Sequence, residues 1–62
     1  MQNKIEQLRK KIGMTQAELA NVCKVTRQTI NAIENNKYDP TLQLAFALAK
    51  ALNITVDDLF IP

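Results

Sequence analysis

The sequence predicts a small all-α domain of five helices. Apolar residues recur three and four positions apart along most of the chain, which is the spacing that places side chains on one face of a helix. Thr15 and Thr26 stand directly before two of these runs, where a hydroxyl can cap the free backbone N–H groups of a helix. No stretch alternates apolar and polar residues as a half-buried strand would, and no internal repeat is present. The length of 62 residues corresponds to one domain over 1–62.

The first helix is predicted from about Asn3 to Ile12, because Ile5, Leu8 and Ile12 follow the helical spacing. Gly13 comes directly after this run. A glycine at that position can adopt the left-handed conformation that closes a helix, so we expect the first helix to end there.

The second helix, about 16–23, has the strongest local start signal in the sequence. Thr15 and Glu18 have the spacing of a capping box, in which each side chain accepts a hydrogen bond from the other residue's backbone N–H. Met14 and Leu19 stand at the two positions of a hydrophobic staple around the same turn. We therefore expect this helix to begin directly after Thr15.

The third helix, about 27–35, is predicted to have two different faces. Thr26 caps its start, and at about 100° per residue Ile30 and Ile33 fall on the same side as Thr26. The opposite side carries only polar side chains, namely Arg27, Gln28, Asn31 and Asn35. We expect the apolar side to anchor the helix and the polar side to face outward.

The fourth helix is predicted from Thr41 to Leu52, after a loop that ends in a proline, because proline disfavours helix at the preceding residue. This helix is apolar almost all round, which predicts a central position with neighbours on several sides. A short fifth helix is expected to begin at Thr55, with Leu59 and Phe60 turned back toward the core.

The composition excludes several classes of function. Histidine is absent and Cys23 is the only cysteine, so neither a His/Cys metal site nor a Ser–His or Cys–His catalytic pair can be built. No apolar run approaches the roughly 18 residues of a membrane span, and the amino terminus lacks the hydrophobic segment of a signal peptide. A single cysteine also fits a reducing compartment. We therefore expect a cytoplasmic protein that is not an enzyme, with no metal, cofactor, membrane or small-molecule substrate.

Charge is distributed unevenly along the chain. Residues 1–37 contain seven basic and three acidic residues, whereas residues 38–62 contain one basic and three acidic residues. A positive half next to a negative half is typical of a protein with one face toward a polyanion, and solubility alone can also produce it. The Lys10–Lys11 pair in the basic half is interpreted as a solvated face.

The second and third predicted helices, joined by a tight turn, have the form of a helix-turn-helix. The major groove of DNA is about 12 Å wide and admits one helix, whose amino-terminal side chains reach the base edges. At that position Arg27 can pair with guanine, and Gln28 and Asn31 can pair with adenine. The start of the second helix, at Thr15 and Gln16, can hold a phosphate because helix amino termini favour anions.

Five segments of the sequence form a characteristic series. They are Thr15-Gln16-Ala17-Glu18-Leu19-Ala20, Val25-Thr26-Arg27-Gln28-Thr29-Ile30, Ile33-Glu34-Asn35-Asn36-Lys37, Pro40-Thr41-Leu42 and Val56-Asp57-Asp58-Leu59-Phe60. In this order and spacing they resemble the Xre/Cro, lambda-repressor-like family of bacterial and phage regulators, over essentially the whole chain. The resemblance implies five helices and a cytoplasmic transcriptional regulator, for which we expect repression. It also implies a homodimer on a pseudo-palindromic operator in double-stranded DNA, and the apolar Phe60–Ile61 end favours such a dimer.

The same resemblance implies roles for individual residues. Arg27, Gln28 and Asn31 match the family's base-contacting positions, and Arg9 and Glu34 match an ion pair that ties the first helix to the end of the third. The residues expected to contact the DNA backbone are Thr15, Gln16, Thr26, Thr29, Asn35, Lys37 and Arg9.

One position departs from the family pattern. Lys24 stands in the turn where glycine is usual, and a left-handed conformation costs a non-glycine residue on the order of 1 kcal/mol. The charge of Lys24 near the carboxyl end of the second helix would offset part of this cost.

Two other functions fit the same fold. An antitoxin would bind DNA and also cap a toxin, and a co-purifying partner protein would reveal it. A protein-interaction module that has lost DNA binding would carry non-basic, non-polar residues where this chain has Gln16, Arg27, Gln28 and Lys37. Two roles remain open for Tyr38, which either packs over the loop or touches a phosphate.

Overall fold

The computed structural model describes all 62 residues and consists of five helices and a two-stranded antiparallel sheet. In chain order the elements are β1 (Gln2–Asn3), α1 (Ile5–Lys11), α2 (Gln16–Cys23), α3 (Arg27–Glu34), α4 (Leu42–Ala51), α5 (Val56–Leu59) and β2 (Phe60–Ile61). The predicted all-α, five-helix architecture is confirmed, and the sheet is an addition that the sequence did not predict. None of the helices has the length and apolar character that crossing a bilayer requires.

The largest boundary difference lies at the start of α1. The sequence predicts a start at about Asn3, whereas α1 begins at Ile5 because Asn3 belongs to β1. The Oδ1 atom of Asn3 accepts a hydrogen bond from the backbone N–H of Ile5 at 3.0 Å, which satisfies one of the free donors at the helix start. Helix α3 ends at Glu34, one residue earlier than predicted, and Asn35 caps it.

The strands β1 and β2 join the two ends of the chain. Gln2 pairs with Ile61 and Asn3 pairs with Phe60. Two residues are too few to produce an alternating pattern, so the prediction of no strand was wrong for a physical reason. Phe60 is buried, and Ile61 remains 43% exposed. The Phe60–Ile61 end is therefore largely used within the chain, and it is not the free apolar surface that the dimer expectation assumed.

The core receives side chains from all five helices. The fully buried side chains are Ile5, Leu19, Ile30, Ile33, Leu48 and Leu59. Helix α2 lies against both α3 and α4, so that the middle of the chain forms one packed unit.

Helix α4 is buried on one side only. Its inner side is formed by Ala45, Leu48, Ala49 and the following Leu52. On the outer side Leu42 is 69% exposed and Phe46 is 59% exposed. The prediction of a central helix with neighbours on several sides was therefore wrong in part. A domain of about 60 residues buries only about 60% of its unfolded surface, and it has too few elements to cover both sides of α4.

Four helices begin with a threonine cap, of which the sequence predicts those at Thr15 and Thr26. The hydroxyl groups of Thr15, Thr26, Thr41 and Thr55 each accept a hydrogen bond from the backbone N–H three residues later, at 3.0 to 3.2 Å. At α2 the Glu18 carboxylate also accepts from the Thr15 N–H at 2.9 Å, which completes the predicted capping box.

The four longer helices end in the same way. A residue with positive φ follows each helix, and these residues are Gly13 (φ 76°), Lys24 (φ 60°), Asn36 (φ 61°) and Asn53 (φ 56°). The N–H of the residue after each of them bonds to a carbonyl five positions earlier, at 2.9 to 3.0 Å. This arrangement is the Schellman motif, which satisfies carbonyls that would otherwise lack partners.

Candidate nucleic-acid interface

Helices α2 and α3 are joined by a turn of three residues whose geometry is set by Lys24. This lysine has the left-handed conformation that the sequence predicts at the turn. The following N–H, of Val25, bonds to the carbonyl of Ala20 at 3.0 Å, which closes α2. Helix α3 is then held by Ile30 and Ile33, whose side chains are buried in the core. The arrangement is a helix-turn-helix in which α3 is anchored from behind.

The outward face of α3 presents polar side chains to solvent. Arg27, Gln28 and Asn31 are exposed, and the side chains of Arg27 and Gln28 make no hydrogen bond within the protein. Asn35 donates from its Nδ2 atom to the carbonyl oxygen of Asn31 at 2.8 Å and to Asn31 Oδ1 at 3.3 Å. The amide donors of Asn31 remain open. The helix thus carries two unpartnered polar side chains and one partly engaged amide near its amino end.

A shallow depression lies at the start of α2. Side chains and backbone of Lys10, Gly13, Thr15, Gln16 and Arg27 contribute to its lining. The first backbone N–H groups of a helix have no partner within the helix and carry partial positive charge. Three cationic residues, Arg9, Lys10 and Arg27, line the depression next to the positive end of α2, and Arg9 is paired with Glu34. Lys10, which sequence analysis interpreted as part of a solvated face, is brought to this depression by the packing of α1.

The capping box shapes the same helix start. The Thr15 backbone and side chain both bond to Glu18, and these hydrogen bonds lower the pKa of the Glu18 carboxyl group. The carboxylate form is the one that accepts the Thr15 N–H at 2.9 Å. The first turn of α2 is consequently closed by its own residues near neutral pH.

A buried polar network connects α1, α2 and α3. Arg9 donates from Nε to Glu34 Oε2 at 2.7 Å and from Nη2 to Glu34 Oε1 at 3.2 Å. Its third bond runs from Nη1 to the carbonyl oxygen of Met14 at 3.0 Å. Gln16 donates from Nε2 to Glu34 Oε1 at 2.9 Å. The ion pair expected between Arg9 and Glu34 is present, and it raises the pKa of the Arg9 guanidinium.

The network engages Arg9, which was also expected to contact the DNA backbone. The Arg9 side chain is only 8% exposed, and its three nitrogen atoms are all engaged inside the protein. Its additional role as a DNA-backbone contact stays a prediction, since Arg9 also lines the depression at the start of α2. Arg9 neutralises Glu34, whose side chain is 2% exposed, and Glu34 in turn holds the amide of Gln16 at the start of α2.

The segment after α3 is bonded by a residue of β1, Asn3, that the sequence did not point to. Asn35 and Lys37 are exposed there, on either side of the left-handed Asn36. Asn3 donates from Nδ2 to the carbonyl oxygen of Ile33 at 2.8 Å and to Asn36 Oδ1 at 3.2 Å. Nothing in the sequence pairs residue 3 with residues 33 and 36, since no local spacing relates positions that lie 30 or more residues apart.

Thr26 caps the start of α3, and a groove between the helix-turn-helix and α4 is lined in part by Cys23, Thr29 and Tyr38. The Thr26 and Thr29 hydroxyl oxygens lie 3.0 Å apart, and Thr29 is half-buried. Tyr38 is 49% exposed and lies with Val25 on a groove beside α4. Cys23 is half-buried against the core, and burial raises the pKa of its thiol, which fits a packing role.

Comparison with known proteins places the chain among helix-turn-helix proteins. A family model described as helix-turn-helix matches residues 5–59. An uncharacterized HTH-type transcriptional regulator of Methanocaldococcus jannaschii is 48% identical over 61 residues, which cover 98% of this chain and 92% of the relative. The HTH-type regulator YgzD of Bacillus subtilis is 42% identical over 60 residues, covering 97% of this chain and 91% of the relative.

Solved structures lead to the same conclusion. The restriction-modification controller protein C.AhdI from Aeromonas hydrophila superposes with a TM-score of 0.85 at 28% identity, covering 92% of this chain and 86% of that one. The biofilm regulator SinR of Bacillus subtilis, solved in complex with DNA, superposes with a TM-score of 0.79 at 29% identity, covering 87% of each chain. Because the family model spans most of the chain and the relatives match over nearly their full length, the chain belongs to the helix-turn-helix family, in its Xre/Cro, lambda-repressor-like branch.

Proposed function

We propose that this chain is a DNA-binding transcriptional regulator that reads double-stranded DNA in the major groove with α3. One observation carries the proposal. Arg27 and Gln28 project into solvent without partners, while Ile30 and Ile33 on the opposite side of the same helix are buried. Unpartnered polar side chains on a rigidly held helix need no internal bonds broken before they contact a base. The relatives are named as transcriptional regulators, which supports the same function.

Base discrimination is assigned to three side chains. Arg27 can donate two hydrogen bonds to guanine O6 and N7, and Gln28 can make the paired contact to adenine N6 and N7. Asn31 is one helical turn further along and has a shorter side chain, part of which bonds to Asn35. Arg27 and Gln28 therefore supply most of the discrimination in this proposal, with Asn31 in a supporting position.

Contacts to the DNA backbone are assigned to three places: the start of α2, the start of α3 and the segment after α3. At the start of α2, Thr15 and Gln16 offer a positive helix end, and the Gln16 amide is oriented by Glu34. At the start of α3, Thr26 and Thr29 offer hydroxyl groups, and after α3 the exposed Asn35 and Lys37 face outward. Such contacts fix the register of the protein on DNA and supply most of the affinity without reading sequence.

The proposal includes a homodimer that represses from a pseudo-palindromic operator. One helix contacts only a few base pairs, so two copies on half-sites about 34 Å apart would supply the specificity that one copy lacks. Exposed apolar side chains on α4, Leu42 and Phe46, support self-association better than the chain end does. A transcriptional regulator has to reach chromosomal DNA, so a cytoplasmic location is part of the proposal.

Selection of bound fragments from random DNA tests the proposal most directly. The expected result is an enriched sequence of two inverted half-sites whose centres lie one helical turn apart. The double variant Arg27→Ala/Gln28→Ala serves as the control, and we expect it to retain weak binding but to enrich no common sequence. Failure of the unmodified chain to enrich any sequence would refute sequence-specific recognition.

Sedimentation of the free protein and of its DNA complex tests the dimer separately. Two copies per enriched fragment are expected even if the free protein is a monomer at low concentration. A strict one-to-one complex on a fragment with both half-sites would remove the dimer from the proposal and leave the rest intact. A reporter gene under the enriched sequence then distinguishes repression from activation.

A further inference from the structure

The end of α3 differs from the other three Schellman motifs in one position. After α1, α2 and α4, the residue that follows the left-handed one is apolar and packs against the core, and these residues are Met14, Val25 and Ile54. After α3 the same position holds Lys37, which is exposed. A hydrophobic contact at this position normally accompanies the motif and fixes the chain direction after the helix. The segment after α3 lacks this contact.

A side chain from the other end of the fold takes the place of the missing contact. Asn3 donates to the Ile33 carbonyl oxygen at 2.8 Å and to Asn36 Oδ1 at 3.2 Å. The Ile33 carbonyl, one of the last of α3, already accepts from the Asn36 N–H at 3.1 Å, and Asn36 is the left-handed residue itself. Asn3 therefore adds a second donor to this carbonyl and a bond to the Asn36 side chain. The two hydrogen bonds therefore hold the turn between α3 and Lys37.

Asn3 is itself held in place by the sheet. Its backbone pairs with Phe60 of β2, which is buried, and the next N–H, of Lys4, bonds to the Leu59 carbonyl at 2.9 Å. Its Oδ1 atom accepts from the Ile5 N–H at 3.0 Å, so both ends of the amide are engaged. Because the Asn3 backbone is held by the sheet and both atoms of its amide are hydrogen-bonded, the side chain has one orientation. It can therefore position the residues that it contacts.

We propose that Asn3 is a positioning residue for DNA binding, which acts by holding the turn that presents Lys37 to the phosphate backbone. Lys37 is free of the core, as a phosphate-contacting side chain has to be, and Asn3 supplies the order that the core supplies at the other helix ends. This inference rests on the proposed function, because it assumes that Lys37 contacts DNA.

The test uses the full chain with the substitution Asn3→Ser. A serine hydroxyl can still accept from the N–H two residues later, but it is too short to reach Ile33 and Asn36, and the charge is unchanged. Gln2→Ser on the neighbouring exposed residue of β1 is the matched control, since no hydrogen bond involves the Gln2 side chain. Lys37→Ala and the double variant Asn3→Ser/Lys37→Ala complete the set. Thermal unfolding of each variant establishes the temperature at which all of them are folded.

Affinity for the enriched DNA is then measured at that temperature over a range of salt concentrations. Asn3→Ser is expected to weaken binding about fivefold, the size of one lost hydrogen-bonded contact. Both Asn3→Ser and Lys37→Ala should make the negative slope of log affinity against log salt less steep, by up to about 0.9 for a phosphate contact that is lost completely. In the double variant Asn3→Ser should add less than about twofold to the effect of Lys37→Ala, because both act on one contact. Gln2→Ser should match the unmodified chain.

Two results would overturn the inference, and they are distinguishable. If Lys37→Ala weakens binding but Asn3→Ser keeps the unmodified affinity and salt slope, Asn3 only stabilises the fold, and the proposed function stands. If Lys37→Ala itself leaves the affinity and slope unchanged, the assumed phosphate contact is wrong, and the inference fails together with that part of the proposed function. Hydrogen exchange of the Lys37 amide, which bonds to the Ala32 carbonyl at 2.9 Å, gives a readout without DNA and should accelerate in Asn3→Ser.

Discussion

Helices α3 and α4 both bury one apolar side, but they present opposite surfaces to solvent. Outside its buried isoleucines, α3 exposes Arg27, Gln28 and Asn31. Helix α4 exposes Leu42 and Phe46, which are as apolar as the residues that it buries. The two helices have similar lengths and the same kind of threonine cap, so their different outer faces do not follow from local helix formation.

The difference separates stability from recognition. Water solvates the outer side chains of α3 at no cost, and they are therefore available for a polar partner such as DNA. The outer side chains of α4 leave apolar surface in water, which favours contact with another apolar surface. We expect substitutions on the inner side of α3 to change stability and substitutions on its outer side to change DNA binding.

The largest expected effect is on the inner side of α3. Ile30→Ala should lower the free energy of unfolding by about 2–5 kcal/mol, since the side chain is fully buried and its removal leaves a cavity. Phe46→Ala is the matched change on α4 and should cost less than about 1 kcal/mol, because over half of that side chain is already exposed. Urea unfolding of the two variants gives both values. Equal losses would mean that the outer side of α4 is covered in solution.

The second effect concerns a positive charge on each outer face. Arg27→Ala should reduce the preference for the enriched DNA over random DNA by about 1–3 kcal/mol, the value of one good two-bond base contact. Lys50→Ala removes the same charge from the exposed face of α4 and should leave the preference unchanged. Competition binding at one salt concentration measures both. If the two variants lost equal affinity for all DNA, Arg27 would act through charge alone.

The helix caps give a third, smaller pair of effects. The hydroxyl groups of Thr26 and Thr41 each accept the N–H three residues later at 3.2 Å. Thr26→Ala and Thr41→Ala should therefore each destabilise the protein by about 1 kcal/mol. Only Thr26→Ala is expected to weaken DNA binding by the folded protein as well. A loss of DNA affinity in Thr41→Ala would assign α4 to the DNA surface and contradict the separation.

The smallest expected effect is the pH dependence of the stability that the capping box of α2 contributes. The caps of α3 and α4 have no acidic partner, whereas the cap of α2 has Glu18, whose pKa is lowered by its bonds to Thr15. A lowered pKa in the folded state means that this contribution is present above the ordinary value of 4.5 and is lost as pH falls through the lower, folded-state value. The stability difference between the unmodified chain and Glu18→Gln should thus shrink on acidification. A difference independent of pH would show that the carboxylate is not what closes the box.

Local signals in the sequence predicted the frame of the fold and most of the candidate interface. A capping box, a staple or an apolar repeat involves residues three to five positions apart, and such neighbours meet whenever the helix forms. The start of α2 and the two faces of α3 are therefore found where the sequence placed them, whereas the left-handed turn at Lys24 was expected from the family resemblance. The pairing of Arg9 with Glu34, 25 residues apart, could be anticipated only through resemblance to a family.

Only the tertiary structure decided how distant segments meet. The pairing of β1 with β2, the bonds from Arg9 to Glu34, and the bonds from Asn3 to the end of α3 join residues 25 or more positions apart. The exposure of Leu42 and Phe46 likewise depends on which side of α4 the rest of a small chain is able to cover. Helix formation is set by neighbours along the chain, whereas these contacts are set by the packing of whole helices, which no short spacing in the sequence encodes.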